Sequence, residues 1–328
     1  MGSDDPQTRS APILVAGEAL YDVIAGAGDE LTLSGHAGGG PFNIARTMGR
    51  LRQPVAFLGR VSTDRLGMTH TLMLEADGVG LGSIVRSSDP TTLALASLDA
   101  EGVARWSFYS ADTAAAGLTP TAALAALPPK VAALHIGTLG LVLEPLATAI
   151  EAIVERLADE TMVVLDPNVR PQAIRDPAAF RARLERVIAR SHLVKVSEED
   201  VAWLDPGSTT ADSARALLAR GASAVLLTRG AAGATVLTDG RQTPIDAVPT
   251  TVADTIGAGD AFGGGMLAWW ISHGLGREEL VDHDLVVEAA RFGATVAART
   301  VAQPGASPPQ LPASAAGRAL VAADLDVR

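Results

Sequence analysis

The chain has 328 residues, 48% of them apolar and 19% charged, an ordinary globular balance with length for one large α/β domain or two smaller ones. A net charge of −11 argues against a broad basic face for nucleic acid. The absence of cysteine excludes disulfides, thiolate metal sites and a cysteine nucleophile, and it fits a reducing cytoplasm.

The first ten residues, MGSDDPQTRS, carry no apolar core after a basic start and read as a disordered tail. APILVAG (11–17) reads as a buried strand, and PFNIARTMGRLR (41–52) as a helix opening on Pro41. PVAFLGRV (54–61) is again a strand, and THTLMLEADG (69–78) a helix closed by Gly78. Four more strands are expected at 131–139, 161–168, 191–197 and 222–230, with helices between them at 144–158, 176–190 and 209–220. Strands separated by such helices imply right-handed crossovers and a mostly parallel sheet covered on both faces. TLALASLDAEGVARWSFYS (92–110) instead alternates and turns at Asp99–Gly102, as a hairpin would. It suggests a small sheet standing off the main one, joined by the segment 20–35. The run AFGGGMLAWWI is too short and too glycine-rich to span a bilayer, so a soluble protein is expected. The proline-rich piece 303–312 is followed by a tail that reads as a terminal helix.

The stretch DTIGAGDAF (254–262) asks why glycines bracket an alanine just ahead of a carboxylate. Small residues feeding a helix start leave backbone N–H groups unpaired at the positive end of the helix dipole, which suits an anion. An aspartate beside a bound phosphate is repelled by it, and the pairing makes sense if Asp260 takes a proton from a hydroxyl that attacks phosphorus. The N–H groups of Gly257, Ala258 and Gly259 would then stabilise the charge that develops. Gly263, Gly264 and Gly265 inside the helix cost about 1 kcal/mol each relative to alanine, so something must pass close to them. A second glycine-rich helix start, AGGGPFN (37–43), offers backbone N–H groups and the Asn43 amide to a hydroxylated ligand, or Asn43 simply caps its helix. Asp22, in GEALYDVI, is either an acceptor for two adjacent hydroxyls or a surface turn acid.

Together these three pieces resemble the ribokinase-like (PfkB) family of carbohydrate kinases over nearly the whole chain. DTIGAGDAF matches the C-terminal signature of that family, and GGGPFN resembles its N-terminal glycine motif. The resemblance implies a three-layer α/β/α ribokinase-like fold for residues 11–328, with a small β lid built from about 18–36 and 91–113. It implies Asp260 as catalytic base, Gly257, Ala258 and Gly259 as the anion hole, and Asp22, Gly38, Gly39 and Asn43 as sugar contacts. LLTRGAAGA (226–234) is similar to the nucleotide-side strand and turn, which carries over Thr228, Gly230 and Gly233; a plain strand-end turn is the other reading of Gly233. KVSEED (195–200) is similar to the segment that holds magnesium and phosphates through water, here with Ser197 and Asp200 in place of asparagine and glutamate. Asp254, the carbonyl of Ile256 and Gly305 fit the monovalent-cation site of the family, although AQPGASPPQ departs from the usual spacing around that glycine. The implied cofactors are ATP and Mg2+, with K+ at the monovalent site.

LDPNVRP (165–171) groups Asp166, Asn168 and Arg170 at a strand's carboxyl edge, where ligands of open parallel sheets bind. This spacing resembles the fructokinase and 2-keto-3-deoxygluconate kinase branches. Arg170 either meets a phosphate or substrate carboxylate, or pairs with Asp166 or Asp176. Ser110 follows Tyr109 where the acid-sugar branch has an arginine, so fructose or a related neutral hexose is expected. 2-Keto-3-deoxygluconate or ribose kinases, and a catalytically silent sensor of the same fold, stay open. A Walker-type NTPase is disfavoured, because neither Lys130 nor Lys195 follows a glycine, and no Gly-x-Gly-x-x-Gly follows an early strand. Of the aromatic residues Trp106, Phe108 and Tyr109, one face would pack on the sugar and the other into the lid. His135 reads as a satisfied core histidine, His36 as a loop residue near the substrate and His273 as a helix C-terminal residue. A lid edge strand can pair with its own copy, so a homodimer through the lid is the expected assembly.

Overall fold

In strand β1 (Ile13–Ala16), Ile13 and Val15 enter one hydrophobic layer while Leu14 and Ala16 enter the other, so the strand is buried on both faces. The computed structural model describes residues 11–26, 32–98, 104–157 and 159–326. The other strands are β2 (Leu20–Ala25), β3 (Leu33–Gly38), β4 (Val55–Ser62), β5 (Ile84–Ser87), β6 (Thr92–Leu98), β7 (Ala104–Tyr109), β8 (Ala133–Gly137), β9 (Met162–Asp166), β10 (Leu193–Ser197), β11 (Ala224–Thr228), β12 (Ala234–Thr238) and β13 (Arg241–Ile245). The helices are α1 (Gly40–Arg50), α2 (Arg65–Ala76), α3 (Pro120–Ala125), α4 (Leu146–Arg156), α5 (Pro177–Ile188), α6 (Glu198–Leu204), α7 (Thr210–Ala219), α8 (Ala258–Ser272) and α9 (His283–Val301).

Nine strands form the main sheet in the order β13-β12-β11-β10-β9-β8-β1-β4-β5. From β11 to β5 every neighbouring pair is parallel, and β12 and β13 add an antiparallel edge. One face is covered by α1, α2, α8 and α9 through Phe42, Leu74, Met266 and Val286. The other is covered by α3 to α7, through residues such as Ile150, Phe180 and Leu217. The expected three layers around a mostly parallel sheet are therefore present. A separate four-stranded sheet, β3-β2-β6-β7, forms the expected lid. The tail at 1–10 and the hairpin turn at 99–102 lie outside the described residues.

Two expectations are corrected. The tail after Pro312 is not a terminal helix: it holds two short 3-10 turns, Ala313–Ala315 and Ala322–Asp326. Gly317, at φ +73, breaks the alanine-rich run, and Leu311, Leu320 and Leu325 are left to anchor the tail beside α8 and α9. Helix α2 starts four residues earlier than expected, because Asp64 caps it by accepting from the Gly67 N–H at 2.8 Å.

The glycine run inside α8 is explained by neighbouring helices. A Cβ at Gly264 would lie 2.8 Å from the Thr47 Cβ of α1, and one at Gly265 would lie 2.8 Å from the Val296 Cβ of α9. Helix axes this close need glycine at the crossing. Gly265→Val is expected to destabilise the fold by about 1–3 kcal/mol through overpacking. Chemical denaturation measures this, and an unchanged midpoint would remove close helix packing as the reason for the glycine.

Candidate active site

Five parallel strands end side by side on one edge of the main sheet. The residues there are Glu18 after β1, Thr138 after β8, Asp166 to Arg170 at the end of β9, Ser197 at the end of β10 and Thr228 at the end of β11. The chain leaves β1 and β8 toward opposite helical layers, which opens a crevice at that switch of strand order. Glu18, 1% exposed, bridges the two strand ends. It accepts from the Thr138 hydroxyl and, at 2.9 Å, from the Gly140 N–H.

Two helix N-termini meet over this crevice. Gly257 caps α8 in the left-handed region at φ +76, with no side chain bonding to the first turn. The opening N–H groups of a helix lack intrahelical acceptors. Among the described residues those of Gly257 and Gly259 meet no protein acceptor, whereas Ala258 donates to the Thr255 carbonyl at 3.3 Å. The expected three-amide cradle therefore has two open members and one already engaged by a long bond. Gly39 caps α1 at φ +105, where a Cβ would lie 2.7 Å from the Glu18 carbonyl.

Asp260 sits in the first turn of α8 and is 8% exposed. Its Oδ2 accepts from Asn43 Nδ2 at 2.8 Å, and its Oδ1 lies 3.4 Å from the place a Cβ on Gly40 would take. Asn43 was read as offering its amide to a ligand or as capping its helix; its amide nitrogen donates to the Asp260 carboxylate, and the buried Oδ1 has no partner. Burial pushes the Asp260 pKa up to about 6, with Asp166 raising it further while the Asn43 bond, Lys195 and Arg170 oppose the rise. A carboxylate tuned this way holds a proton acceptor ready close to neutral pH.

Asp22 lies in lid strand β2 with its carboxylate against Gly38, leaving no room for a Cβ there. Burial lifts its pKa to about 6, opposed by Arg170 and then His36. Arg170 is exposed and donates to the carbonyls of Asn168 and Val169. Its charge acts on both Asp22 of the small sheet and Asp260 of α8, lowering the pKa of each. The pairing of Arg170 with Asp166 or Asp176 is not found: Asp166 binds Lys195 at 2.6 Å, and Asp176 caps α5. In the lid, Trp106 and Phe108 stack and pack toward the core, and Tyr109 is exposed.

Other expected residues are drawn into the protein's own bonding. Ser197 and Asp200 form a capping box at the start of α6, and the second Asp200 oxygen accepts from the Val169 N–H at 2.6 Å. Both side chains are thus held by the protein's own backbone N–H groups, so any phosphate-side contact would run through water. Thr228 donates to the Val196 carbonyl at 3.3 Å, and Gly230 faces open space. Gly233 is explained by the fold, since a Cβ there would strike the Ile245 carbonyl. Asp254 does meet Ile256 and Gly305, accepting from their N–H groups at 3.0 and 2.8 Å. That carboxylate staples two loops, and no group of three His, Cys, Asp or Glu side chains able to hold a metal occurs among the described residues. His135 is buried with its Nδ1 unpartnered, so it is not the satisfied histidine expected. His273 stacks on Trp269 at the C-terminus of α8 as expected. A cavity of about 450 Å3 lies to one side, between Phe108, Ser110, Gln172, Arg175 and Arg183, and does not include Asp260.

Glu18 and Lys195 were missed as site residues. The visible signals were an acid directly after an apolar strand and a lysine inside the apolar strand LVKVS. Burial pushes the Glu18 pKa up to about 7, with Thr138 and Gly140 opposing it and Asp260 adding to it. A carboxyl whose folded pKa is raised contributes stability below about pH 4.5, and that contribution is lost as pH rises through about 7. Glu18→Gln is therefore expected to gain on the wild type by on the order of 1–3 kcal/mol between pH 5 and pH 8. Denaturation at both pH values measures this, and a constant difference would show that Glu18 is not held protonated.

Comparison with known proteins places the chain in a family. The chain is 36% identical over 261 residues to a fructokinase of Rhizobium leguminosarum bv. trifolii, covering 78% of each chain. It is 32% identical over 269 residues to a fructokinase of Klebsiella pneumoniae, covering 80% of this chain and 85% of that one. The crystal structure of a fructokinase with bound ATP from Xylella fastidiosa superposes with a TM-score of 0.81 at 26% identity, over 90% of this chain and 93% of that one. Residues 11–313 match the profile of the pfkB family carbohydrate kinases, and the chain belongs to that family.

Proposed function

We propose that this carbohydrate kinase transfers the γ-phosphoryl group of ATP to a hydroxyl of a neutral hexose, with fructose the leading candidate and Asp260 the general base. The observation that carries the reading is the pairing of a buried, amide-fixed carboxylate with open N–H groups in one helix turn. In the reaction Asp260 takes the proton of the attacking hydroxyl as the new O–P bond forms and the bond to the ADP oxygen breaks. The N–H groups of Gly257 and Gly259 face the charge on the moving phosphoryl group. The lid brings Asp22 and Gly38 to the sugar and excludes water, which would otherwise compete as acceptor.

Fructose is favoured over an acidic sugar by charge. Arg170 acts on both Asp22 and Asp260, so an acidic sugar would bring a third carboxylate to one guanidinium. The fructokinase relatives point the same way. Thr228 and Gly230, on the open edge beyond β11, are the nucleotide-side residues of this reading. Magnesium would arrive with the nucleotide and neutralise phosphate charge. Ser197 and Asp200 fit it only through intervening water, since their own atoms close the α6 cap. Asp254, Ile256 and Gly305 would hold a monovalent cation through carbonyl and carboxylate oxygens. A homodimer through the lid edges β3 and β7, where Leu33 and Tyr109 are exposed, belongs to the same reading. No described helix is long and apolar enough to cross a membrane.

The test is ATP-dependent phosphorylation across a panel of neutral and acidic sugars. Fructose is expected to turn over, Asp260→Asn to lose about 10²–10⁴-fold in kcat, and Arg170→Ala to impair neutral sugars. Turnover of acidic sugars alone, abolished by Arg170→Ala, would replace fructose with an acidic substrate. Equal activity of Asp260→Asn and the wild type would remove the base.

A further inference from the structure

The first turn of α8 rests on a lysine. The Lys195 ammonium lies 3.4 Å from where a Cβ on Gly259 would sit, and its stem passes 3.7 Å from the corresponding point on Gly263. Both the residue and its partner Asp166 are buried, 7% and 1% exposed, with Nζ to Oδ2 at 2.6 Å. The second oxygen of Asp166 is buried without any partner, so that carboxylate is compensated by this one ammonium. Charge of such density, removed from water, costs several kcal/mol per ion unless it is paired and placed.

From this placement we infer that Lys195 is a positioning residue for phosphoryl transfer, a buried cation beneath the anion-binding turn that screens Asp166 from Asp260. The inference rests on the kinase reading for its consequence and on the packing for its geometry. The charged groups that face Asp260 among the described residues are Glu18 beyond β1, Asp166 and Arg170 from β9 and the loop after it, and Lys195 from β10. Arg170 is exposed, so water screens it, and Lys195 is the buried cation of the set. Burial disfavours the charge of Lys195, yet Asp166, then Asp200 and Asp260, favour it and raise its pKa. His135 adds no competing charge, since burial and Lys195 lower its pKa to about 3. Gly259 and Gly263 line the lysine: a Cβ at either position would stand in van der Waals contact with it.

Carbon-13 NMR titration of the Asp260 carboxyl, assigned by its loss in Asp260→Asn, reads the screening without any turnover. In Lys195→Met the midpoint of Asp260 is expected to rise by at least one pH unit, because Asp166 then acts on it unscreened. In Lys195→Met/Asp166→Asn, which buries no unpaired charge, the midpoint is expected to return to the wild-type value or below. The acid limb of the kcat profile should follow both shifts, with the KM for sugar nearly unchanged. Should the single variant fail to fold, the double variant decides, because a midpoint above the wild-type value in it overturns the inference. A folded Lys195→Met with an unmoved midpoint overturns it as well. Failure of the wild type to phosphorylate any sugar would instead strike the kinase reading and leave the titration result standing.

Discussion

One hydrogen bond joins the two halves of the site: Asn43 on α1 donates to Asp260 on α8. The two residues are 217 positions apart, and the bond brings two glycine-capped helix N-termini over the same sheet edge. The carboxylate would be repelled by any anion bound to those helix ends, and burial disfavours its charge further. It is tolerated because the Asn43 amide, Lys195 and Arg170 each offset part of that cost. The outcome is a buried carboxylate with a pKa of about 6 beside open N–H groups. The geometry suits moving a proton and a phosphoryl group at one place.

The surrounding fold can be read as support for that contact. Gly264 lets α1 approach α8 closely, and Gly265 does the same for α9. Arg46 on α1 pairs with Asp77 at 2.6 Å and also donates to the Ala306 carbonyl at 3.3 Å. The loop it steadies passes over Gly257, where Ala306 leaves no space for a Cβ. Beneath, Glu18 ties β1 to β8, and Asp166 ties β9 to Lys195 on β10. The strand ends are thus linked by buried polar contacts, which are costly when incomplete and rigid when satisfied. Asp22 comes from the separate four-stranded sheet, whereas Asp260 stands on a helix packed against the main one.

Local rules made much of this legible. Six parallel strands, the helices between them and the lid strands follow from periodicity and from glycine and proline punctuation. The helix start at Gly257–Asp260 follows from the need of a helix N-terminus for partners. Tertiary contacts decided the rest. Ser197 and Asp200 look like ligand-facing residues in KVSEED, but a serine three residues before an aspartate is also a capping box, and in the fold the cap prevails. Lys195 reads as an interruption of an apolar strand until Asp166 arrives from the neighbouring strand. The amide of Asn43 has a local meaning as a cap and a distant one as a clamp, and only the packing of α1 on α8 selects between them.

Phosphoryl transfer at this site depends on what Asp260 does when both substrates are bound. Calorimetry with fructose and an unreactive ATP analogue, paired with single-turnover transfer from ATP, separates binding from chemistry in Asp260→Asn. Retained affinity for both ligands with transfer slowed by a factor of about 10² or more is the expected result. Transfer at the wild-type rate, or loss confined to binding, would contradict the role given to this carboxylate.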